Sequence, residues 1–328
     1  MSNARNIADI TVGSLWGNRN LLMNGDFQVS QRGDYSTATP TTSSTYYLDR
    51  WCMDFTTSAA CTLQRQLVTL PNGNKTYSAK ITATGAASSG SMGMFQVVED
   101  YRTLSGKQVT FSAWVKTNTS DVYFRHYSNT NVGSAAPSDG QWHYVTATYM
   151  FPVVTQGARG IDGTGIFIIK YREGASISVS AGDYIEIAQF QLELGSVATP
   201  FEYRPYGTEL ALCQRYYCHS FKMGQAVAHG APEPHVRNLL AYSSNLSYSD
   251  SIAFPVPMRA APSMVVYSPD ASPIAGQWAY YDGTWKAASA TNFYRITERG
   301  FNPEISGAGF TAWQGRLCMG HWVASAEL

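Results

Sequence analysis

Charge is scarce in this chain: Asp, Glu, Lys and Arg make up 14% of its 328 residues, and 23 basic side chains are balanced by 23 acidic ones. An average soluble protein carries about 25% charged residues. Without a net field, nucleic acid is not an expected partner, and neither is an anionic membrane surface. Long apolar runs are missing as well. No stretch approaches the roughly 18 apolar residues of a membrane span, and "GIFIIKY" is stopped by Lys170, so membrane insertion is not expected. The opening "MSNARNIADITVGSLWG" places Arg5 and Asp9 where a secretion signal needs an apolar core. Synthesis in a cytoplasm is the expectation.

A cysteine framework is also lacking. Cys52, Cys61, Cys213, Cys218 and Cys318 are odd in number and irregular in spacing, which reads as free thiols in a reducing compartment. Cys213, Cys218 and His219 are the sharper alternative, a metal site, but five residues of helix turn two side chains about 140° apart. His229 and His235 flank a Pro-rich loop, and the six histidines show no close pair at helical metal spacing. No Gly-x-Ser-x-Gly elbow and no phosphate-cradling glycine motif occurs. Glycosidases need two carboxylates about 5–10 Å apart. Glu186 and Glu193, seven apart on one expected strand, would lie on opposite faces and roughly 23 Å apart. The remaining carboxylates are scattered, and a catalytic role is not expected.

What the chain has is β-pattern. Length alone supports two domains. Residues 1–17 read as a polar leader or attachment peptide. From 18 to 206, about eight short runs of β-formers are separated by Gly, Asn, Ser and Pro, with no helix-length segments between them, which predicts an all-β jelly-roll sandwich. In "GKQVTFSAWVK", Val109, Phe111, Ala113 and Val115 share one face. "YIEIAQFQLELG" switches phase near Ile187 and Ala188, which a β-bulge or a strand buried on both faces would each explain. Residues 207–219 form a connector with a short helix expected over 208–217, Thr208 capping and Glu209 in its first turn. From 220 to 328 β-patterns return, including Asp282-Gly283 between aromatic β-formers as a hairpin signal, and a second, smaller β-sandwich is expected.

Aromatics are the positive functional signal: 21 Tyr and 8 Trp in a chain otherwise rich in uncharged polar residues. A strand Tyr or Trp ordinarily buries its ring and leaves a polar tip in water. On a polar face, the same ring can stack on a sugar. Two candidate glycan-binding clusters follow. Tyr123, Arg125 and Tyr127 share one strand face, with Trp142 and Tyr144 on a possible neighbour; Trp278, Tyr280, Tyr281 and Trp285 surround the Asp282-Gly283 turn.

"NLLMNGDFQVSQRG", "YYLDRW", "GKQVTFSAWVK", "IEIAQFQLELGSVATPFEYRP" and "ELALCQRYY" occur in an order that resembles tail-fibre and receptor-binding proteins of tailed bacteriophages. The resemblance covers about residues 20–217, and "FPVPMRAAPSMVV" with "WVASAEL" is similar to their C-terminal parts. It implies a jelly roll like those of carbohydrate-binding modules, with Trp51 in the core, Asn24–Asp26 in a bend or bulge, and Asp49-Arg50 as a structural pair. It also implies a structural calcium near Asp26 and Glu193, a homotrimer, and no other cofactor. The expected partners are host-surface polysaccharide or lipopolysaccharide, and other virion tail proteins through residues 1–17. The protein would be made in the host cytoplasm and carried on the virion, at the tail or head surface. A short leader without heptads or collagen-like repeats suits a compact distal or side protein better than a long shaft. Three functions follow: a non-enzymatic attachment protein, a structural virion protein such as a head decoration or tail adaptor, and a depolymerase, against which the lack of β-helix rungs and of a carboxylate pair speaks.

Overall fold

The computed structural model describes residues 19–99, 101–126, 130–153, 163–171, 176–269, 276–307 and 310–328. The expected attachment peptide, 1–17, and Tyr127 lie outside these. The fold is all-β with one α-helix among the described residues, and the chain divides into two compact units. One unit comprises the described residues up to Val29, Tyr35–Tyr206 and Leu328; the other comprises Ser30–Asp34 and Gly207–Glu327.

The N-terminal unit is two six-stranded antiparallel sheets. The first has the order β1 (Thr39–Thr41), β4 (Cys61–Thr69), β5 (Lys75–Ala83), β12 (Tyr184–Leu194), β7 (Gln108–Thr117), β10 (Trp142–Met150). The second runs β2 (Tyr46–Leu48), β3 (Trp51–Phe55), β6 (Met92–Glu99), β11 (Gly163–Lys170), β8 (Val122–His126), β9 (Thr130–Val132). The chain passes repeatedly from one sheet to the other, as a jelly roll requires. Inward-facing residues supply one continuous core: Val109, Phe111, Ala113 and Val115 of β7 are all buried. Phe111 stacks on Phe124 of β8, and Phe124 on Phe190 of β12, with centroids 5.6 and 5.3 Å apart. These contacts tie the two sheets face to face.

β12 shows why its hydrophobic phase switches. Its register against β7 shifts between Ala188 and Gln191, and Gln189 adopts a positive φ of 53°. The bulge lets Ile185 and Ile187 point into the core on one side and Phe190 and Leu192 on the other. The strand is also buried on both faces, so both explanations of the pattern hold.

The "NLLMNGDF" stretch forms no strand, and Asn24–Asp26 make a bend within it. Two backbone bonds tie it to β12, Leu21 N–H to the Leu192 carbonyl and Phe190 N–H to the Gly25 carbonyl, both at 2.8 Å, and side chains do the rest. Asn24 donates from Nδ2 to the Val29 and Asp49 carbonyls (2.9 and 3.1 Å) and accepts the Val29 N–H (2.9 Å). Gln96 takes both the N–H and the C=O of Met23 at 2.7 Å. Glu202 accepts the Arg19 and Asn20 N–H groups, and Arg204 donates to the Leu22 and Asn20 carbonyls. Asn24 takes a φ of 54°, and Gly25 packs so tightly on Phe190 that a Cβ would sit 2.1 Å from its carbonyl oxygen. Trp51 fills the core beside it, stacked on Phe190 at 5.4 Å, its indole N–H donating to the Asn24 carbonyl at 2.9 Å. The Asn-Gly-Asp break is therefore a turn that caps the Trp51 site. Asp49 and Arg50 are fully buried beside it, and Arg50 donates to the Val97 carbonyl at 2.6 Å.

The helix α1 spans Tyr206–Gln214 rather than 208–217, because Tyr217 leaves it to open β13 (Tyr217–His219). Thr208 therefore lies inside the helix and is not its cap. Pairing of β13 with β22 (Gly315–Ser325) outweighs one further helical turn. β22 is the spine of the C-terminal unit. Its first half pairs with β14 (His235–Ala241) and β18 (Ala279–Tyr281), and its second half with β13 and β17 (Ser263–Tyr267). The sheet continues from β14 through β15 (Leu246–Ser249) to β21 (Gly300–Ser306), and β19 (Trp285–Ala287) follows β18. β16 (Ile252–Ala253) and β20 (Ala290–Tyr294) both pair with β21. The sheet encloses a core built on Trp278, Phe301 and Trp322.

Candidate functional site

The outer face of the first sheet combines rings with fixed polar groups. Strand alternation and register decide which residues reach it. Trp142 of β10 stands opposite Lys116 of β7, and Tyr144 opposite Trp114. On the other side of β7, Glu186 of β12 stands opposite Lys116, and on β5 opposite Lys80. β4 completes the row with Gln64 opposite Lys80 and Gln66 opposite Ser78. The first sheet thus carries Trp114, Trp142, Tyr144 and Tyr184 outward among Gln, Ser and Lys.

The rings are positioned by their neighbours. Trp114 and Tyr144 lie 5.4 Å apart, tilted by 50°, and Tyr144 is 44% exposed while Trp114, Trp142 and Tyr184 are half-buried. Lys116 Nζ sits 5.9 Å from the Trp142 ring and Lys80 Nζ 4.5 Å from the Tyr184 ring. Glu186 is buried beneath them; it accepts from Gln66 Nε2 at 2.6 Å and Ser78 Oγ at 2.8 Å, with Lys116 3.8 Å away. Burial, and after it the Glu186 charge, holds the Tyr184 phenol above its ordinary value. Such a face can stack a pyranose C–H surface on a ring and give its hydroxyls fixed donors and acceptors. The Glu186 network rigidifies the acceptor side, so little side-chain entropy is lost on contact.

Glu186 and Glu193 lie on the same outer face, not on opposite faces. The bulge inserts an odd residue between them and reverses the parity. They face Lys116 and Thr110, six residues apart on β7, a separation of about 20 Å. Glu193 is occupied by its own loop: it accepts the Thr199 N–H at 2.8 Å, the Thr199 hydroxyl at 2.6 Å and Gln191 Nε2 at 3.0 Å. Asp26 is buried, with the Gln28 N–H 3.5 Å away. Among the described residues no three His, Cys, Asp or Glu side chains gather as a metal site requires, and all five cysteines are buried and outside any disulfide.

The first expected cluster divides. Tyr123 and Arg125 are on β8, in the second sheet, whereas Trp142 and Tyr144 are on β10, in the first. The outer faces of the two sheets look in opposite directions, so these residues cannot line one site. The chain changes sheet between β9 and β10, which no local pattern announces. Arg125 is engaged with aromatic neighbours, its guanidinium 4.1 Å from the Tyr171 ring and 5.3 Å from Phe167. Trp114, Tyr184, Lys80 and Lys116 join the face only through register, which strand alternation alone does not announce. Trp114 was legible as an outward residue of β7, and only the register joins it to Tyr144.

The second cluster divides by alternation. Trp278 and Tyr280 point inward and are buried, so their rings are closed to a ligand. Trp278 lies flat over Gly320, where a Cβ would come within 2.0 Å of the indole, and donates to the His321 carbonyl at 3.0 Å. Tyr280 packs on Phe310 at 4.9 Å. Tyr281 faces outward, 43% exposed, against Trp285 at 5.4 Å. The hairpin is present, with Asp282, Gly283 and Thr284 between its strands and a φ of 75° at Gly283.

No family model and no curated protein matches this sequence. Among solved structures, the chain is similar to the enzymatically active domain of tailspike protein 4 of bacteriophage CBA120, at 13% identity and a TM-score of 0.33, over 54% of this chain and 21% of that one. It spans about a fifth of that domain's length. It is also similar to the family 11 carbohydrate-binding module of the cellulase Lic26A-Cel5E of Clostridium thermocellum, at 11% identity and a TM-score of 0.28, over 50% of this chain and 99% of the module. A cyclase from Fischerella aligns at 13% identity and a TM-score of 0.31, over 54% of this chain and 95% of its own.

Proposed function

We propose that this protein is a non-enzymatic attachment protein of a tailed bacteriophage, carried on the virion, and that it binds host-surface polysaccharide or lipopolysaccharide through the outer face of its first sheet. The observation that carries the binding reading is the set of Trp114, Trp142 and Tyr144 rings standing beside the buried, fully bonded Glu186. Phe, Leu and Ile residues on the inner faces already fill the core, so these outward rings are free of the packing role that strand aromatics usually serve. Assignment to a phage virion rests on the order of the sequence segments quoted above. A homotrimer would multiply individually weak contacts through effective concentration.

The test is binding of fluorescently labelled protein to host cells, before and after periodate oxidation of their surface sugars. Binding is expected to be lost on oxidation, and to fall at least about tenfold in the Trp142→Ala/Tyr144→Ala double variant, consistent with roughly 1 kcal/mol per aromatic contact. No binding to any host that the parent particle infects would replace this reading by the assembly role. Release of reducing ends from host polysaccharide would replace it by the depolymerase. A monodisperse monomer in sedimentation would remove the trimer.

A further inference from the structure

We infer that the C-terminal unit holds a second, independent saccharide site, selective for a sugar bearing a free, protonated amine. It is a groove of about 590 Å³ on the outward face of the β14–β22 sheet. Its floor exists because Gly315 has no side chain. Leu240 pairs with Gly315 on β22 and with Tyr248 on β15, while Leu317 stands opposite Asn238. A Cβ built on Gly315 would meet nothing within 4 Å, so the space above it is open.

Two tyrosines flank this floor, each with its ring fixed from behind. Tyr248 is 41% exposed and is met edge-on by Tyr242, with ring centroids 6.1 Å apart. Tyr281 is braced edge-on by Trp285. The leucine floor and the tyrosine rings suit the C–H face of a pyranose.

Charge decides which sugar. Asp282 lines the groove but is neutralised by Arg316 and by Lys286, the latter at 2.9 Å. Asp250 lines it too, exposed, and no cation or hydrogen-bond donor among the described residues engages its carboxylate. The surplus cation on Asp282 brings the four charges to zero overall, but Asp250 is the one carboxylate of the groove lining that no cation engages, and it stands beside two electron-rich ring faces, a setting that favours an ammonium group at that end. An N-acetylated sugar has no charge to satisfy Asp250.

The test is calorimetric titration of the intact protein with a β-1,4-linked glucosamine tetramer and with its N-acetylated counterpart. The free-amine tetramer is expected to bind at least about tenfold tighter, the scale of one charge-assisted contact. Asp250→Asn is expected to erase that preference. Gly315→Leu, whose Cβ has open space and whose side chain would occupy the groove, is expected to abolish binding while the thermal midpoint stays close to the parent's. Equal affinity for the two tetramers, no binding of either, or binding that survives Gly315→Leu would overturn the inference. The Trp142→Ala/Tyr144→Ala variant should bind the glucosamine tetramer as the parent does. Cell attachment lost in that variant and unaltered by Gly315→Leu would leave the first site standing whatever the fate of the second.

Discussion

Gly25→Ala removes no atom, yet it should cost the N-terminal unit several kcal/mol. The added methyl would lie 2.1 Å from the Phe190 carbonyl oxygen and 3.2 Å from Asn20 Nδ2. A carbon-to-oxygen approach is normally about 3.3 Å or more, so the turn must retreat by about 1 Å. Bond-angle opening cannot absorb that, since 7° already costs about 1 kcal/mol. Retreat stretches two contacts: the Phe190 N–H to the Gly25 carbonyl at 2.8 Å, and Asn20 Nδ2 to the Phe190 carbonyl at 3.2 Å. Each buried group left unmet costs about 1–3 kcal/mol, giving a loss of roughly 2–6 kcal/mol for the two. Gly207→Ala is the control. Gly207 is exposed within α1, where a Cβ meets nothing within 4 Å, and this change should be neutral or stabilise by about 0.5–1 kcal/mol. Urea unfolding followed by circular dichroism, to which both units contribute, reads both. A loss below about 1 kcal/mol for Gly25→Ala would refute the close-approach reasoning.

Other outcomes follow from burial. Ellman's reagent should label none of the five cysteines in the native protein and all five in urea, because all are buried and burial pushes the Cys61, Cys218 and Cys318 thiols up to about 12. His126, packed against Tyr149 and Phe151, has its pKa pushed down to about 4 by burial. The unfolded chain then binds a proton near pH 6.5 that the native state refuses, so stability falls as pH drops from about 6.5 towards 4. His219 and His235 are shifted downward by burial in the same sense. His126→Phe should flatten the N-terminal unit's share of that fall, measured as urea midpoints at pH 7 and pH 4.5; an unchanged slope would count against a neutral buried imidazole. Gly320→Ala should destabilise the C-terminal unit by at least about 2 kcal/mol, since the added methyl would come within 2.0 Å of the fully buried Trp278 ring; an unchanged thermal midpoint would refute that packing.

The fold class was legible because alternation is local. β7 could be read residue by residue, with Val109, Phe111, Ala113 and Val115 inward, and the structure places them so. The phase switch in β12 was legible as a signal, yet its consequence for Glu186 and Glu193 was not, because one inserted residue reverses every later parity. The candidate site was half legible. Trp142 and Tyr144 could be singled out as outward aromatics, but their partners Trp114, Lys116 and Tyr184 join them only through long-range register. Tyr123 and Arg125 went astray for the same reason, since sheet membership is a property of pairing and not of a strand's own sequence. Trp278 and Tyr280 show the limit of a hairpin signal: it locates the turn and leaves open which neighbouring rings face the core.

β22 has a consequence for how the protein is made. Four strands, the first beginning at Tyr217, pair directly with residues 317–325 or their neighbours and have few other partners. While a ribosome is still adding residue 314, β13, β14, β17 and β18 are translated yet lack their common template, and their open edges are exposed to other chains. The N-terminal sandwich needs nothing beyond Tyr206 for its two sheets and can close first. Synthesis is thus split into an early unit that folds as it emerges and a late one that waits for a single strand, and crowding of nascent chains threatens the second far more than the first.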